Sequence, residues 1–312
     1  MIKHVEYSEI DKKKWDDCIE RSFNGIIYAF SWYLDIVTDY QWEALIEGDY
    51  ERVFPFLPKK KYGLSYVYQP FAVQQLGVFS IGKLDQEKVD EFLLILKKKY
   101  KIINIKLNVN NKISASNFNK IDQVTYNLDL ISPYSMIQKS YSTNHKRNIK
   151  KSQSAKLTIV KSIKPSRIIE LFKNTKGRTS KELRQIDYDL YQRLVHSAIF
   201  KSKCVTYGVL NDNRDLIAGA IFLHSHNRVI YSFSGVNSEG KELRAMFFLM
   251  DTFIQEHQSR NLLLDFEGSN DENVAYFYRG FGAKKVFYSN IISNQYPIYL
   301  QRIIKFIQRI SS

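Results

Sequence analysis

The chain has 312 residues, of which 44% are hydrophobic and 14% aromatic. This composition suits packed interiors and argues against a disordered or low-complexity protein, while the length favours two domains of about 150 residues each. Lysines and arginines exceed aspartates and glutamates by 14. That excess is compatible with an anionic partner, whether a phosphate-rich cofactor, a nucleotide-linked precursor, RNA or a membrane surface, and equally with a lysine-rich solubilising surface.

The sequence lacks the usual signals of secretion and of metal binding. Cys18 and Cys204 are isolated thiols without metal-ligand spacing. The N-terminus has no signal-peptide core and no apolar run reaches about 18 residues, so a cytoplasmic protein is predicted. The six histidines form no metal-ligand grouping, and His224 and His226 are expected in a solvent-exposed loop beside a turn. No metal is expected, and hydrolase, kinase and metalloenzyme motifs are missing.

The first part of the chain is predicted to begin with helices and continue with short strands. Helices are predicted over 8–20 and 31–37, and strands over 42–47, 51–57, 64–68 and 76–79. Asp85 begins a further helix, since apolar residues then recur at helical spacing, at Val89, Phe92, Leu93 and Leu96. Strands over 102–109 and 123–130 follow.

The second part is predicted to repeat this order. Its elements are helices over 134–154, 165–176 and 187–201, strands over 203–210, 215–224 and 228–236, a helix over 241–258, and a strand, a short helix and a strand over 262–288. Because both parts run helices, a mostly antiparallel meander, a helix and further strands, two copies of one α/β module are predicted. The predicted domains are 1–132 and 133–312.

The strand near residue 264 carries the most informative pattern. Leu262, Leu264 and Phe266 share one face at period two, which places Asp265 and Glu267 together on the other face. Two carboxylates on one face raise the pKa of at least one of them, which suits a general base. The structural alternative is that Asp265 pairs with a basic residue or caps backbone N–H groups.

The residues after this strand predict a short helix with an inward tyrosine. Ser269 and Glu272 have the spacing of a capping box, and the following inward stripe includes Tyr278. A strand end with carboxylates next to such a helix is a common way for an α/β fold to form an active-site cleft. The structural alternative for Tyr278 is a core residue whose hydroxyl is hydrogen-bonded.

These segments resemble a known family. The run DFEGS over 265–269, with FYRGFGA over 277–283, is similar to the closing strand and helix of GNAT-type acyltransferases. It resembles in particular the tandem-GNAT, Fem-like branch that includes the peptidoglycan-branching aminoacyltransferases. The run YSTNHKRNIKK over 141–151 resembles the basic helix that opens that branch's second domain, and 68–80 a stretch of its first domain. The resemblance implies a mixed α/β fold with mostly antiparallel central sheets flanked by helices, built as two tandem GNAT-like domains with the active site in the second.

The resemblance also implies a reaction: transfer of an acyl or aminoacyl group from a thioester or tRNA ester to an amine. Tyr278 matches the tyrosine that lies near the leaving sulfur in many GNAT enzymes. Glu267 and Asp265 are the expected general base or amine anchor. The catalytic residues are therefore predicted to be Glu267, Tyr278 and Asp265.

The expected phosphate-binding turn lies at 237–242 and departs from the GNAT pattern. It keeps one glycine, Gly240, and places Lys241 and Arg244 nearby as cofactor-binding candidates, while Glu239 and Glu242 oppose phosphate. Fem-type enzymes often carry lysine at the position of Tyr278 and a long helical arm that this sequence lacks. Acyl-CoA and other acyl or aminoacyl donors, carried by tRNA or by an acyl-carrier protein, therefore all stay open.

Two regions are candidates for binding the substrate. Arg147 and Lys146 belong to a basic helix suited to a diphosphate or carboxylate, although such a run is equally compatible with a solvated helix face. Tyr68, Gln74 and Gln75 are compatible with an acceptor cleft between domains or with ordinary packing.

The C-terminal run over 297–310 alternates apolar and basic residues and is predicted to form an amphipathic helix that contacts a membrane or docks on its own domain. The predicted function is an acyl- or aminoacyltransferase acting on an amine of a cell-envelope or other small-molecule precursor. The alternative is a catalytically lapsed GNAT-fold module that binds RNA or an anionic surface.

Overall fold

A computed structural model describes residues 1–61, 63–114, 118–175, 185–268 and 271–297. The chain divides into two compact units: Met1–Gln123 together with the residues from Phe287 onward, and Val124–Val286. Both breaks lie within strands, the first of them before the predicted boundary at residue 132. The domain limits 1–132 and 133–312 stay a prediction.

The first unit contains a sheet with one parallel pair of strands. Its elements in chain order are β1 (Ile2–Val5), α1 (Lys12–Arg21), α2 (Ser31–Thr38), β2 (Glu43–Glu47), β3 (Arg52–Lys61), β4 (Leu64–Tyr68), β5 (Phe79–Ser80), α3 (Gln86–Lys99), β6 (Ile102–Lys106), the start of β7 (Asn119–Asp129) and the end of β13 (Lys284–Asn294). The strands β1, β2, β3 and β4 pair antiparallel in that order, and β4 then pairs parallel to β6.

Helix α3 illustrates how the sequence builds this unit. The Asp85 side chain accepts a hydrogen bond from the Lys88 backbone N–H at 2.9 Å and so caps the helix. The predicted apolar stripe is fully buried in the core of the unit: Val89, Phe92, Leu93 and Leu96. The predicted start of the first helix at Ser8 is wrong, because residues Tyr7–Glu9 form a separate 3₁₀ turn and Asp11 caps α1.

The second unit has the same kind of sheet with its own core. After the end of β7 come α4 (Tyr134–Lys139), α5 (Thr143–Gln153), β8 (Thr158–Lys161), α6 (Pro165–Lys173), α7 (Gln185–Phe200), β9 (Cys204–Leu210), β10 (Leu216–Ser225), β11 (Arg228–Val236), α8 (Ser238–Glu242), α9 (Ala245–His257), β12 (Leu263–Asp265), α10 (Glu272–Gly280) and the start of β13. The strand order is β7-β12-β11-β10-β9-β8, with β11 and β12 parallel and the other pairs antiparallel.

Each unit therefore runs an antiparallel meander of three strands, a helix, and a strand parallel to the last strand of the meander. The predicted mixed α/β class with a mostly antiparallel sheet is confirmed. The repeated order fits two tandem modules. Within the described residues, no helix combines the length and hydrophobicity needed to cross a bilayer. The helix predicted over 297–310 lies outside the described residues.

Two predicted helices break in the second unit, and the predicted short helix begins where expected, at Glu272. The helix predicted over 134–154 is two helices, because the Ser142 side chain caps a new start at α5. The helix predicted over 241–258 breaks at Arg244, whose φ of 61° is left-handed. Helix α10 is capped by Asp271, which accepts from the Asn273 N–H at 2.8 Å. Ser269, the predicted cap, lies outside the described residues.

Candidate functional site

The parallel strands β11 and β12 are paired only over the first part of β11. Strand β12 pairs only with the first residues of β11 and ends at Asp265, opposite Ile230, whereas β11 continues to Val236. A β-bulge coincides with this point: Phe222 of β10 faces Tyr231 and Ile221 faces Phe233, so Ser232 is the extra residue. Bulges re-aim side chains and are frequent beside active sites. The strand geometry therefore opens a gap beside the second half of β11.

A cavity of about 410 Å³ occupies this region. It is bounded by the end of β11, the C-terminal end of α6, the turn from α8 into α9, and α10. Most of its wall is apolar, contributed by Phe172, Tyr231, Met246, Phe247, Val274 and Phe277. The predicted residues Gly240, Lys241, Arg244 and Tyr278 all line it. The three residues predicted to bind the cofactor and one of those predicted for catalysis, Tyr278, thus line one cavity.

Tyr278 of α10 forms part of the wall of this cavity. Only 8% of the residue is exposed, and its ring stacks on Phe266 with centroids 4.8 Å apart. Burial raises the pKa of the Tyr278 phenol well above 10, and negative charge on Tyr231 and Glu267 adds to the shift. Among the described residues the hydroxyl has no hydrogen-bond partner. A phenol in this setting keeps its proton and is free to donate it.

The position of α10 depends on His145 of α5. The imidazole is fully buried; its Nε2 lies 2.9 Å from the Phe277 carbonyl oxygen and its Nδ1 3.0 Å from the Ser142 hydroxyl. Because a carbonyl can only accept, Nε2 carries the proton and Nδ1 accepts from Ser142. Burial lowers the pKa of His145. The neutral ring thus joins the start of α5 to the helix that carries Tyr278.

Two glycines make room for this junction. A Cβ at Gly280 would overlap the His145 imidazole, and a Cβ at Gly282 would overlap the Ser140 hydroxyl. Gly282 also has a φ of +83°, a left-handed conformation that favours glycine. Sequence reasoning missed His145, and the paired glycines of the Gly-Phe-Gly run were the signal that could have found it.

Asp265 lies away from the cavity, and its catalytic role stays a prediction. It is 1% exposed and does not line the cavity. Its carboxylate accepts hydrogen bonds from the Thr125 hydroxyl and the Arg228 guanidinium, both at 2.6 Å, and from the Glu267 N–H at 2.9 Å. A carboxylate with these donors and a bound guanidinium holds the strand end in place, which matches the structural alternative of pairing with a basic residue.

Glu267 lies at the bend that Asp265 holds. It is half-buried, and its φ of 57° is unusual for a residue with a side chain. Its carboxylate is close enough to raise the pKa of both Tyr278 and Tyr191. Glu267 does not itself line the cavity. Its role as general base stays a prediction. Its negative charge contributes to the raised pKa of Tyr278.

In the turn expected to bind phosphate, some of the hydrogen-bonding groups are already paired within the protein. Asn237 caps α8 by accepting the Gly240 N–H at 2.7 Å, and Asn211 donates to the Glu239 carboxylate at 2.9 Å. A Cβ at Gly240 would overlap the Ile217 carbonyl, so close packing explains this glycine. The Gly240 N–H, a backbone donor that could bind phosphate, is therefore already hydrogen-bonded within the protein. The Glu239 carboxylate of the same turn is also held by a hydrogen bond.

Lys241 and Arg244 supply positive charge to the cavity. Lys241 is exposed, whereas Arg244 is half-buried and donates to the Lys241 carbonyl at 3.0 Å. The Arg244 Nε is buried and has no hydrogen-bond partner within the described part of the chain. These two side chains are suited to a single anionic group next to the apolar cavity.

The substrate-binding candidates of α5 lie on its exposed face. Lys146 donates to the Lys139 carbonyl at 3.2 Å, and Arg147 donates to the Asn144 side chain at 3.1 Å. Neither lines the cavity. Their role in binding substrate stays a prediction.

Three further candidates belong to the first unit. Gln75 is 1% exposed; its amide oxygen accepts from the Val109 N–H at 3.1 Å and its amide nitrogen donates to Gln74 at 2.7 Å. Both ends of this side chain are hydrogen-bonded within the protein, and the role of Gln75 in binding substrate stays a prediction. Tyr68 is half-buried with the Lys59 ammonium 5.1 Å above its ring. Tyr68 and Gln74 stay predictions.

The expectation that His224 is solvent-exposed is wrong. It is half-buried at the end of β10, its Nε2 is enclosed, and burial lowers its pKa to about 4. Nearby His257 stacks on Phe253 with centroids 4.1 Å apart. Among the described residues no three His, Cys, Asp or Glu side chains converge to hold a metal ion.

Comparison with known proteins places this site in a family. The sequence model of the acetyltransferase (GNAT) domain matches residues 139–276, which include α5 to α9, the first part of α10 and most residues that line the cavity. The match ends just before Tyr278. This segment of the second unit is similar to a GNAT domain. The predicted GNAT-like acyltransferase character is thereby confirmed for the second unit. No curated protein matches the chain.

Solved structures of similar fold extend the comparison over nearly the whole chain. The structural alignment with FemX covers 93% of this chain and 97% of the FemX chain, with a TM-score of 0.66 and 13% identity. L-PGS from Bacillus licheniformis covers 96% of both chains, with a TM-score of 0.55 and 9% identity. The C-terminal domain of a protein from Agrobacterium fabrum named for lysylphosphatidylglycerol synthesis covers 93% and 92%, with a TM-score of 0.57 and 8% identity. The predicted likeness to Fem-like GNAT proteins is confirmed at the level of the fold.

Proposed function

We propose that this GNAT domain moves an acyl or aminoacyl group from a thioester or ester donor to an amine, and that the reaction takes place at the cavity beside β11. One observation carries the proposal: Tyr278 and the cationic residues Lys241 and Arg244 line the same, mostly apolar cavity. The cations are suited to an anionic part of the donor. The hydroxyl is suited to the atom that leaves.

The proposed reaction requires one proton to leave the amine and one to reach the leaving group. The amine nitrogen attacks the donor carbonyl carbon, so a C–N bond forms and the bond from that carbon to sulfur or oxygen breaks. Tyr278 is protonated at neutral pH; it hydrogen-bonds the leaving atom as negative charge develops there and passes its proton to that atom as the bond breaks. Glu267 takes the proton that the amine loses. Exchange with solvent then removes this proton from Glu267 and restores the proton of Tyr278. A positioned acid or base of this kind contributes about 10²–10⁴-fold to the rate.

The surroundings of Tyr278 support this role. Much of the wall is aromatic or aliphatic, and an apolar surrounding strengthens hydrogen bonds to charge that develops on the leaving atom. Asp265 and Arg228 hold the strand end that precedes Glu267, and His145 holds α10. Tyr278 and Glu267 are thus carried by elements fixed through buried contacts.

For the acceptor we propose an amine of a cell-envelope precursor. The support is the sequence resemblance to the Fem-like branch and the fold likeness to proteins named FemX and L-PGS. The alternative of a catalytically lapsed module that binds RNA or an anionic surface rests on the net charge of the chain. The open cavity with the free Tyr278 hydroxyl favours the enzyme.

The test compares two tyrosines of the same helix. Tyr278→Phe removes the hydroxyl in the cavity, and Tyr276→Phe removes one from a half-exposed position. Each protein is given octanoyl-CoA or octanoyl-pantetheine with glucosamine, ethanolamine or lysine, and thiol release and amide formation are followed. We expect Tyr278→Phe to lower kcat at least about tenfold and Tyr276→Phe to leave it within about twofold. Equal rates in both variants would place the chemistry elsewhere.

A further inference from the structure

We propose that the donor is an uncharged acyl thioester held on the pantetheine arm of an acidic carrier protein, and that this carrier docks on the exposed basic face of α5. This inference rests on the proposed acyl transfer and names its donor. Three independent observations support it: the chemistry of the cavity wall, the state of the phosphate-binding turn, and the charge of α5.

The cavity wall favours an uncharged acyl group. Its described lining contains no aspartate or glutamate, while its charged members, Lys241 and Arg244, are both cationic. An aminoacyl group would bring its ammonium next to these cations without a carboxylate in the lining to pair with it. Glu267 is near Tyr278 and lies outside the lining. A hydrocarbon acyl chain instead removes apolar surface from water against Phe247, Phe277 and their neighbours.

The turn at the start of α8 disfavours a diphosphate. The Gly240 N–H is bonded to Asn237 within the chain, and Asn211 fixes the Glu239 carboxylate at the same turn. The two phosphates of coenzyme A would bring more negative charge to a turn that already carries this carboxylate. Lys241 and Arg244 are sufficient for the single phosphodiester of a pantetheine arm.

Helix α5 offers a docking face that is connected to the cavity. Lys146, Arg147, Lys150 and Lys151 are all exposed, the helix contains no acidic residue, and none of the four forms an ion pair within the described residues. The buried face of the helix carries His145, whose ring lies 4.9 Å from the Phe247 ring and is bonded to Phe277. Both phenylalanines line the cavity. An acidic helix on the exposed face of α5 therefore complements its charge, and the opposite face of α5 contacts the cavity wall through His145.

The transfer step balances with this donor. The neutral amine attacks the thioester carbonyl, the C–N bond forms, and the C–S bond breaks. The amine loses one proton, which Glu267 accepts, and the pantetheine sulfur gains one from Tyr278. The products are an amide and a carrier with a free thiol, so no further oxidant or reductant is required.

The experiment measures binding of three probes to the full chain: an acidic carrier protein charged with an octanoyl thioester, octanoyl-CoA, and a short RNA hairpin. The variant Lys146→Glu/Arg147→Glu reverses two charges near the start of α5. Its matched control, Lys164→Glu/Arg167→Glu, reverses two exposed charges at the start of α6. Binding is followed by fluorescence anisotropy at about 50 mM and about 200 mM salt.

We expect the charged carrier to bind at least about tenfold more tightly than octanoyl-CoA, with affinity that falls as salt rises. The α5 variant should weaken carrier binding at least about tenfold and the α6 control less than about twofold. The proposal is overturned if octanoyl-CoA binds as tightly as the carrier, if both variants weaken binding alike, or if RNA binds and the carrier does not.

Failure of the proposed function gives a different result. If octanoyl-CoA is preferred and its acyl group reaches an amine in a Tyr278-dependent reaction, acyl transfer stands and the carrier proposal falls. If the carrier docks on α5 and none of the thioesters releases thiol to any amine, docking stands and acyl transfer falls.

Discussion

His145 Nε2 donates a hydrogen bond to the carbonyl oxygen of Phe277 at 2.9 Å, and this bond ties α5 to the helix that carries Tyr278. Aromatic rings enclose the imidazole, with the Phe281 ring 4.7 Å and the Phe247 ring 4.9 Å away. The histidine is therefore a positioning residue. It does not touch the cavity, yet it fixes two of the elements that form the cavity wall.

Replacing His145 should destabilise the second unit. His145→Ala removes the partner of the Phe277 carbonyl and leaves a void among aromatic rings, so we expect the free energy of unfolding to fall by about 2–4 kcal/mol. The measurement is urea unfolding followed by circular dichroism. His196→Ala is the control, because His196 is exposed on α7 and should change stability by less than about 0.5 kcal/mol. Similar losses in both variants would remove the positioning role.

Gly280 should tolerate a methyl group only when His145 is absent. Gly280→Ala places a Cβ inside the space of the imidazole, so we expect a loss of stability of about 1–3 kcal/mol. In the His145→Ala background the same substitution should cost markedly less, since the overlapping ring is gone. The thermal midpoints of the four proteins give the coupling. Gly82→Ala, at a site where a Cβ meets nothing within 4 Å, is the control.

The ion pair of Asp265 with Arg228 should matter far more than an exposed pair. Asp265→Asn leaves a guanidinium that is only 16% exposed without its counter-charge, and we expect a cost of about 3–5 kcal/mol. Asp212→Asn breaks the exposed pair with Lys156 and should cost less than about 1 kcal/mol. Urea midpoints of the two variants test this. Near-equal midpoints would show that the buried pair contributes no more than the exposed one.

Local patterns in the sequence predicted much of the fold. Strand β11 has the predicted bounds, 228–236, because turn residues flank a run of β-forming residues. The buried stripe of α3 follows from its period. The breaks at Ser142 and Arg244 were missed, because periodicity continues across them and only tertiary contacts show where the backbone turns.

Part of the site was also predictable from the sequence. Gly240, Lys241, Arg244 and Tyr278 were found from family resemblance, and they converge on one cavity. Asp265 was assigned to catalysis because alternation along a strand shows which residues share a face, and it does not show which partners those residues meet. Arg228 and Thr125, the partners of Asp265, are distant in sequence. Only the folded chain brings them together.

The buried histidines should make stability fall as the pH falls below about 6.5. The pKa of His224 is lowered from 6.5 to about 4 by burial, with a further contribution from His257, whose pKa is also lowered. The folded chain therefore binds fewer protons than the unfolded chain between these values, and the stabilisation present above pH 6.5 is lost progressively toward pH 4. For His224 alone this amounts to at most about 3 kcal/mol. His224→Leu should flatten the dependence of the urea midpoint on pH between 7 and 5, whereas His196→Leu, at an exposed position, should leave the slope as it is in the parent protein. An unchanged slope in His224→Leu would show that this histidine is not held neutral by burial.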